Sequence, residues 1–435
     1  MKKYIDKNVY DAAQERLEFL FKEFDNVLVS FSGGKDSGVM LNLAYDYAKK
    51  TNNLHKLAVV HMDYEAQYQQ TTDYVEETFR QLSDVRRFWL CLPIYAQCAC
   101  RMDAGHWIPW EASKRDIWCR PMPTYDYVIN EDNCEFKISE DDFEIPKDFF
   151  RWFTEKYGQT VSLVGIRTQE SYDRMILMMS MKGTIRKHKG LNYVVDNVGN
   201  PLLFTAYPIY DWETEDIWTY NVRFDKPYNR LYDLFYQAGL PLDKMRVASP
   251  FNDSGVHTIN LYRVIDPKNW GKMIGRVNGV NFAGIYGGTT AMGWKSITLP
   301  KGHTWKSYCY FLLTTLPEKL RLHYERIFAT SLEYWCEKGG YVTPEILAEI
   351  EAIKNDCNIK FTNEGKSKRF PEQYVLKFSE YPDDMDIKSF AKVPTYKRMC
   401  VCIIKNDYYC KYMGFGLTKE AECRKKATLA KYRNL

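Results

Sequence analysis

Residues 30–37 read Ser-Phe-Ser-Gly-Gly-Lys-Asp-Ser and sit between the apolar run Val27-Leu28-Val29 and a helix-like stretch from Val39 to Lys50. A strand that turns through two glycines into a helix constrains what such a chain can fold into. It also suits one task, holding phosphate. Successive glycines let the backbone approach an anion, the Ser32 and Ser37 hydroxyls and the Lys35 ammonium supply donors, and the following helix presents its positive N-terminal end. Ser30, Ser32, Gly33, Gly34, Lys35, Asp36 and Ser37 are therefore the candidate cradle. The alternative is a glycine-rich turn with no ligand.

The first half of the chain alternates strand and helix signals, which predicts an α/β fold with an open parallel sheet. Val9 to Phe24 carries an apolar stripe at helical spacing. Strands are expected at Val27–Phe31, Leu57–His61, Arg87–Leu92 and Val161–Gly165, with a second helix over Thr71–Leu82. In such sheets ligands gather beyond the carboxyl ends of the strands, and Asp63 and Arg167 fall there with the loop. Residues 94–150 form an irregular insertion rich in acids, among them Glu131, Asp132, Glu135, Glu140, Asp141, Asp142 and Glu144. Their sign argues for a solvated surface and against a phosphate site.

At 435 residues and 45% hydrophobic, the chain is long enough for two domains. A composition change after Leu240-Pro241 places a soft boundary near residue 250. The first 250 residues are read as a nucleotide-binding domain and 251–435 as an accessory α+β domain. The latter is expected to be mainly helical, with a helical stretch from Trp305 to Lys338, and to end in a small β-hairpin and a helix. Twelve cysteines are too few for a disulfide scaffold, and the start Met-Lys-Lys-Tyr-Ile-Asp is charged where a signal peptide turns apolar, so a reducing cytoplasm is expected. No apolar run approaches the roughly 18 residues of a membrane span. A net charge of +4 neither compels nor excludes a nucleic-acid partner.

SGGKDS is not a Walker A loop, which needs four residues between its glycines and a Gly-Lys-Ser/Thr ending. It resembles the PP-loop of ATP pyrophosphatases and sulfonucleotide reductases. A second constellation, Gly165-Ile-Arg-Thr-Gln-Glu-Ser-Tyr-Asp-Arg174, follows the fourth strand. A helix beginning near Thr168 would set Glu170 and Arg174 one turn apart, with Arg167 projecting from the strand end. An arginine's planar fork suits phosphate or sulfate, although an Arg/Glu pair on a helix is usually a surface salt bridge. A third stretch joins Pro208–Trp218 to Lys226-Pro-Tyr-Asn-Arg-Leu-Tyr232, where Thr214 is a candidate N-cap and most residues read as core. In this order the pieces resemble phosphoadenosine-phosphosulfate reductases over about residues 25–245, which implies a HUP-like fold of the adenine-nucleotide α-hydrolase type. In that family the second motif helps hold the sulfonucleotide.

The reductases' Glu-Cys-Gly-x-His segment is missing. The last cysteine stands in Glu422-Cys423-Arg424-Lys425, so thiol chemistry is not expected. Asn8–Arg16, Asn260–Trp270 and Gly275–Phe282 add a resemblance to the subfamily of reductase-like proteins typified by IbrA, a co-activator of prophage gene expression. Its members imply a ParB-like partner and a regulatory setting.

Two cysteine groups have ligand types for a metal. Cys98, Cys100 and Cys119 with His106 match no standard spacing, and Cys400 and Cys402 would share a strand face with Cys410 across a hairpin turning at Lys405-Asn-Asp407. Structural thiols are the default for both. A basic run at Lys182, Arg186, Lys187, His188 and Lys189 reads either as an extension of the anion site or as a contact for a nucleic-acid backbone, and one at Arg424, Lys425, Lys426, Lys431 and Arg433 as a solvated helix face. The reading is a PP-loop protein that binds ATP or phosphoadenosine phosphosulfate and, with Mg²⁺, cleaves ATP at the α-phosphate. Lys35, Asp36, Asp63, Arg167 and Arg174 carry the chemistry, and Glu170 joins the cradle. The alternative is a nucleotide-sensing regulator that acts through its partner.

Overall fold

The computed structural model of the chain describes residues 6–101, 105–139, 142, 144–170, 187–197, 199–252, 255–286, 297–354, 359–405 and 407–415. Arg174, Lys182, Arg186, Glu140, Asp141, Cys423 and the basic residues that follow it lie outside them. The described residues pack as two compact units, one made of residues 6–96 and 107–276, the other of 97–106 and 277–415. The first unit runs on past residue 250 to Arg276.

In the first unit the strands are β1 (Asn26–Ser30), β2 (Leu57–Met62), β3 (Arg86–Leu90), β6 (Val128–Ile129), β7 (Thr160–Leu163), β8 (Val194–Asp196) and β9 (Leu203–Ala206); the two-residue strands β4 (Ala96–Gln97) and β5 (His106–Trp107) fall at the points where the chain passes from one unit to the other. The main sheet has the order β6-β3-β2-β1-β7-β9-β8. All neighbours pair in parallel except β8 with β9 at the edge. β1 shows why the sheet is covered on both faces. Its residues alternate between two cores, Val27 and Val29 entering one and Leu28 the other. The first core takes α1 (Val9–Glu23), α2 (Lys35–Lys50) and α3 (Gln69–Gln81) through Leu17, Leu20, Val39, Val75 and Phe79. The second takes α4 (Ile145–Tyr157) through Ile145, Phe149 and Phe153. From β1 the chain steps outward through β2, β3 and β6, then returns to the other side of β1 with β7. That reversal makes the carboxyl ends of β1 and β7 the switch point of the sheet.

Beyond β2 lies a buried charge network that the sequence does not announce. The Asp63 and Glu65 side chains are fully enclosed. Glu65 receives Arg276 in a two-pronged pair, Nε to Oε1 at 2.8 Å and Nη2 to Oε2 at 3.0 Å, and also accepts the backbone N–H groups of Cys119 and Trp110. Its left-handed backbone, φ 65°, is held by Asp63 Oδ1 accepting its N–H at 2.9 Å. Asp63 Oδ2 in turn accepts from Arg120 and from Trp89 Nε1. Burial by itself would push the Asp63 carboxyl up; Arg120, with His61 and Trp89, reverses this and holds it below its ordinary value. The network closes the 107–121 part of the insertion onto the sheet, while Glu131, Asp132 and Glu135 of its acidic part are exposed.

The second unit is mainly helical with one small sheet, antiparallel in the order β10-β12-β11: β10 (Gly340–Val342), β11 (Phe361–Lys366) and β12 (Tyr374–Phe378). The stretch from Trp305 is not one helix. Trp305–Thr315 ends before Pro317, which cannot continue it, and a new helix runs Glu318–Leu332. The expected hairpin at Met399 is a helix, Tyr396–Ile404. Thr395 caps it by accepting the Arg398 N–H, and Met399, Cys400, Cys402 and Ile403 are buried in the core, so capping and burial outweigh the strand-like run Cys-Val-Cys-Ile-Ile. No helix among the described residues is long and apolar enough to cross a membrane.

Replacing Glu65 with Ala should lower the urea midpoint by the equivalent of about 3–5 kcal/mol, because it leaves the Arg276 charge buried without its partner. Glu65→Met combined with Arg276→Leu should lose less than the sum of the single changes, as a buried pair removed together does. Additive losses would show that the two do not act as a pair.

Candidate functional site

The loop folds on its own hydroxyls. Ser37 Oγ lies 3.0 Å from Ser32 Oγ, receives the Ser32 N–H at 3.2 Å and donates to Gly34 O at 3.1 Å. Gly33 turns the chain with φ 75°, and a Cβ there would stand 2.9 Å from a Val75 methyl. Gly34 precedes α2 and offers no side-chain cap, which leaves the first turn of a 16-residue helix without the usual capping oxygen. The Tyr-Asn-Arg-Leu-Tyr element braces the loop from behind. Asn229 Nδ2 donates to Gly33 O at 2.9 Å, and the Tyr232 hydroxyl accepts the Lys35 N–H at 3.0 Å.

The second constellation meets the loop at its helix. Gly165 packs so closely that a Cβ would lie 2.8 Å from the Asp36 carbonyl oxygen and 3.0 Å from the Ser37 nitrogen. This approach brings Arg167 in from the end of β7. Its buried guanidinium donates from Nε to Asp36 Oδ1 at 2.5 Å and from Nη1 to Gln169 Oε1 at 3.0 Å, and Glu170 Oε1 stands 3.7 Å from Nε. Nη2 has no partner among the described residues. The other Asp36 oxygen takes Lys35 Nζ at 3.0 Å. Burial pulls the Lys35 ammonium below its ordinary value, against the pull of Asp36.

A cavity of about 750 Å³ opens over this group. Ser30, Ser32, Gly34, Lys35, Asp36, Ser37, Arg167 and Glu170 all line it, so the structure brings together nearly all the described residues expected at the cradle. Asp63 does not line it, being enclosed in the network beyond β2. The described part of the first basic run does not line it either. Lys187 donates to Asn192, while His188 and Lys189 pair with Glu23. Thr214, expected as an N-cap, is instead the first residue of its helix, Thr214–Arg223. Gln169 Oε1 captures its N–H and hydroxyl at 2.8 and 3.1 Å, while Asp216 closes the end by accepting the Glu213 N–H. Lys244 and Arg246 complete the wall, Arg246 donating to Glu170 O at 3.1 Å. Only their charge and their place after the Leu240-Pro241 turn could have suggested them.

No described cysteine lines this cavity. On a helix Cys400 and Cys402 point to different sides, against the shared face of the expected strand: Cys400 donates to Trp305 O and Cys402 to Asp407. Cys98, Cys100, Cys119 and Cys410 are buried thiols. Burial pushes the Cys119 thiol far up. Among the described residues no group of three or more His, Cys, Asp or Glu side chains is placed to hold a metal ion.

A Gly-Gly loop between a strand and a helix, at the switch point of a parallel sheet, is the arrangement of a PP-loop domain, and comparison with known proteins agrees. Residues 26–238 match the phosphoadenosine phosphosulfate reductase domain, and residues 239–424 match a domain of unknown function, DUF3440. The chain is 31% identical over 417 residues to the uncharacterized protein YbdN of Escherichia coli (strain K12), covering 95% of this chain and 91% of that one. It belongs to the YbdN family. Over 208 residues it is 28% identical to the uncharacterized protein MJ0066 of Methanocaldococcus jannaschii, a match that spans 48% of this chain and 33% of that protein. Among solved structures it is similar to FMN adenylyltransferase of Candida glabrata in complex with FMN and the ATP analogue AMPCPP (14% identity, 53% of this chain and 64% of that one, TM-score 0.30). It is also similar to the phosphate complex of phosphoadenylyl-sulfate reductase from Candida auris (13% identity, 57% and 97%, TM-score 0.29).

The close approach at Gly165 gives a test with an internal control. Gly165→Ala should destabilise the protein by roughly 1–3 kcal/mol, since backbone must move to admit the methyl. Gly271→Ala, in the helix Pro267–Arg276 with nothing within 4 Å of the new Cβ, should be neutral or stabilising by up to about 1 kcal/mol. Equal melting temperatures for the two variants would contradict the packing described.

Proposed function

We propose that the cavity binds an adenine nucleotide by its phosphates, and that the chain cleaves ATP at the α-phosphate. The observation that carries the reading is that four donor-bearing elements border one cavity at the sheet switch point: a helix N-terminus whose N-cap Gly34 has no side chain, the backbone of Gly34, Lys35, and Arg167, whose Nη2 has no partner among the described residues. The cavity they line measures about 750 Å³, within the range of small-molecule sites, and such donors suit phosphate oxygens.

In this scheme the loop holds the β- and γ-phosphates. An acceptor nucleophile attacks the α-phosphorus, the bond to the bridging oxygen breaks, and pyrophosphate leaves with that electron pair. Arg167 offsets charge developing on the transferred group, and Lys35 steadies the departing one. Asp36 spaces these two cations by binding both, which fixes their positions before the ligand arrives. Mg²⁺ bound with the triphosphate would find Asp36 and Glu170 as carboxylates and would supply further charge neutralisation. Asp63, enclosed by Arg120 and Trp89, is given no part.

ATP is preferred over phosphoadenosine phosphosulfate because the described members of the basic run expected to hold a 3′-phosphate are paired elsewhere. Thiol-dependent reduction is not part of the reading. The Glu-Cys-Gly-x-His segment is missing from the sequence, and no described cysteine lines the cavity. Kinship with the IbrA-typified subfamily belongs to the same proposal; the match to YbdN over 95% of the chain supports a shared whole-chain architecture.

Calorimetry with ATP tests the binding step. Lys35→Ala should weaken binding by the equivalent of about 1.5–3 kcal/mol, and Gly34→Val should abolish it. Gly34 has space for a Cβ, at 3.4 Å from its nearest neighbours, so the fold should survive. Pyrophosphate release from ATP by the wild type, lost in both variants, would support the chemistry. Unchanged ATP affinity in both variants would overturn the assignment.

A further inference from the structure

A second cavity, of about 630 Å³, lies in the same unit and shares no lining residue with the first. Three cations line it: Arg115 from the turn Ala112–Ile117, Arg120 from the segment after it, and Lys272 from the helix Pro267–Arg276. No carboxylate among the described residues does. Arg115 and Lys272 are exposed and form no ion pair among the described residues; the Arg115 guanidinium rests 5.3 Å from the centre of the Trp118 ring.

Arg120 is the informative member, because it is only 7% exposed. Its Nη2 is committed to Asp63 and its Nε donates to Glu65 O at 3.1 Å. Nη1 has no partner among the described residues, on a side chain that borders the cavity. The charge network thus holds a buried guanidinium with one end still free to donate. Two half-buried aromatic side chains, Trp118 and Tyr125, stand in the same wall. Trp118 is fixed by its Nε1 donating to Glu111 O at 3.0 Å.

We propose that this cavity is a second binding site, for a small phosphate monoester carrying a flat ring. Arg115 and Lys272, without ion-pair partners among the described residues, and the Arg120 guanidinium, which shares its charge with Asp63 but keeps one end free of partners among those residues, suit a group that carries nearly two charges. The aromatic wall and the volume suit a ring of small-molecule size. The proposal stands apart from the nucleotide reading, since it uses neither the loop nor its cavity.

The test uses the full chain and 1-naphthyl phosphate as probe, with 1-naphthol as its uncharged control, followed by calorimetry. Wild type should bind the phosphate and bind naphthol at least about tenfold more weakly. Arg115→Ala with Lys272→Ala should weaken the phosphate at least about tenfold and leave ATP affinity unchanged, and Lys35→Ala should leave naphthyl phosphate binding intact. Lys272→Glu alone, on an exposed side chain, should act in the same direction, so that a folding failure of the double variant would still leave a decisive measurement. No binding by wild type, equal affinity for naphthol, no effect of the cavity variants, or loss on changing Lys35 would each overturn the proposal. Failure of ATP to bind, with naphthyl phosphate still held by Arg115 and Lys272, would sink only the nucleotide reading.

Discussion

The site depends on one close approach, the end of β7 lying against the first turn of α2. Gly165 has to be glycine there because the Asp36 carbonyl and the Ser37 nitrogen occupy the space of a side chain. Once the two backbones touch, Arg167 falls within reach of Asp36, and Asp36 in turn holds Lys35. Two cations are thereby set side by side over a helix N-terminus. Left alone they would repel each other and gain water; with a carboxylate between them, the arrangement persists before any ligand is bound. Asn229 and Tyr232 fix the other side of the loop through its backbone, so its shape does not wait for a ligand.

The charge network beyond β2 is a different use of the same chemistry. Asp63, Glu65, Arg120 and Arg276 are costly to bury, and the cost is offset because nearly every oxygen and nitrogen has a partner. What the network achieves is placement. It ties an irregular segment, which has little regular structure to hold it, to the carboxyl edge of the sheet and to a helix more than 150 residues further along the chain. His61 lies beside it, fully buried, and that burial pulls its imidazole below the ordinary value against the opposing pull of Asp63.

Much of the first unit was legible in the sequence because its rules are local. Buried parallel strands read as apolar runs, β1 and β2 fell within a residue of their expected limits and β3 within two, and SGGKDS carries its own chemistry. Arg167 was legible for a topological reason, as a residue just past a strand end. What failed depended on partners far along the chain. Asp63 stands in an equivalent position, yet Arg120 and Trp89 enclose it, and no periodicity announces a partner 57 residues away. Thr214 failed locally instead: its neighbour Glu213 takes the N-cap position and forms a capping box with Asp216. Cys400 and Cys402 were misplaced because a short β-branched run suits strand or helix equally well, and the Thr395 cap with core burial decides between them. The Trp305 helix broke where Pro317 gave local warning, and there the sequence was read too smoothly.

The central claim is that the carboxyl ends of β1 and β7, with the loop between Ser32 and Ser37, hold a nucleotide's phosphates. A crystal structure of the chain grown with a non-hydrolysable ATP analogue such as AMPCPP addresses it most directly. The account predicts phosphate oxygens against the backbone of Gly33 to Ser37, with Lys35 and Arg167 Nη2 within hydrogen-bond distance of them. An analogue bound at any other place, with these donors left without phosphate, would contradict it.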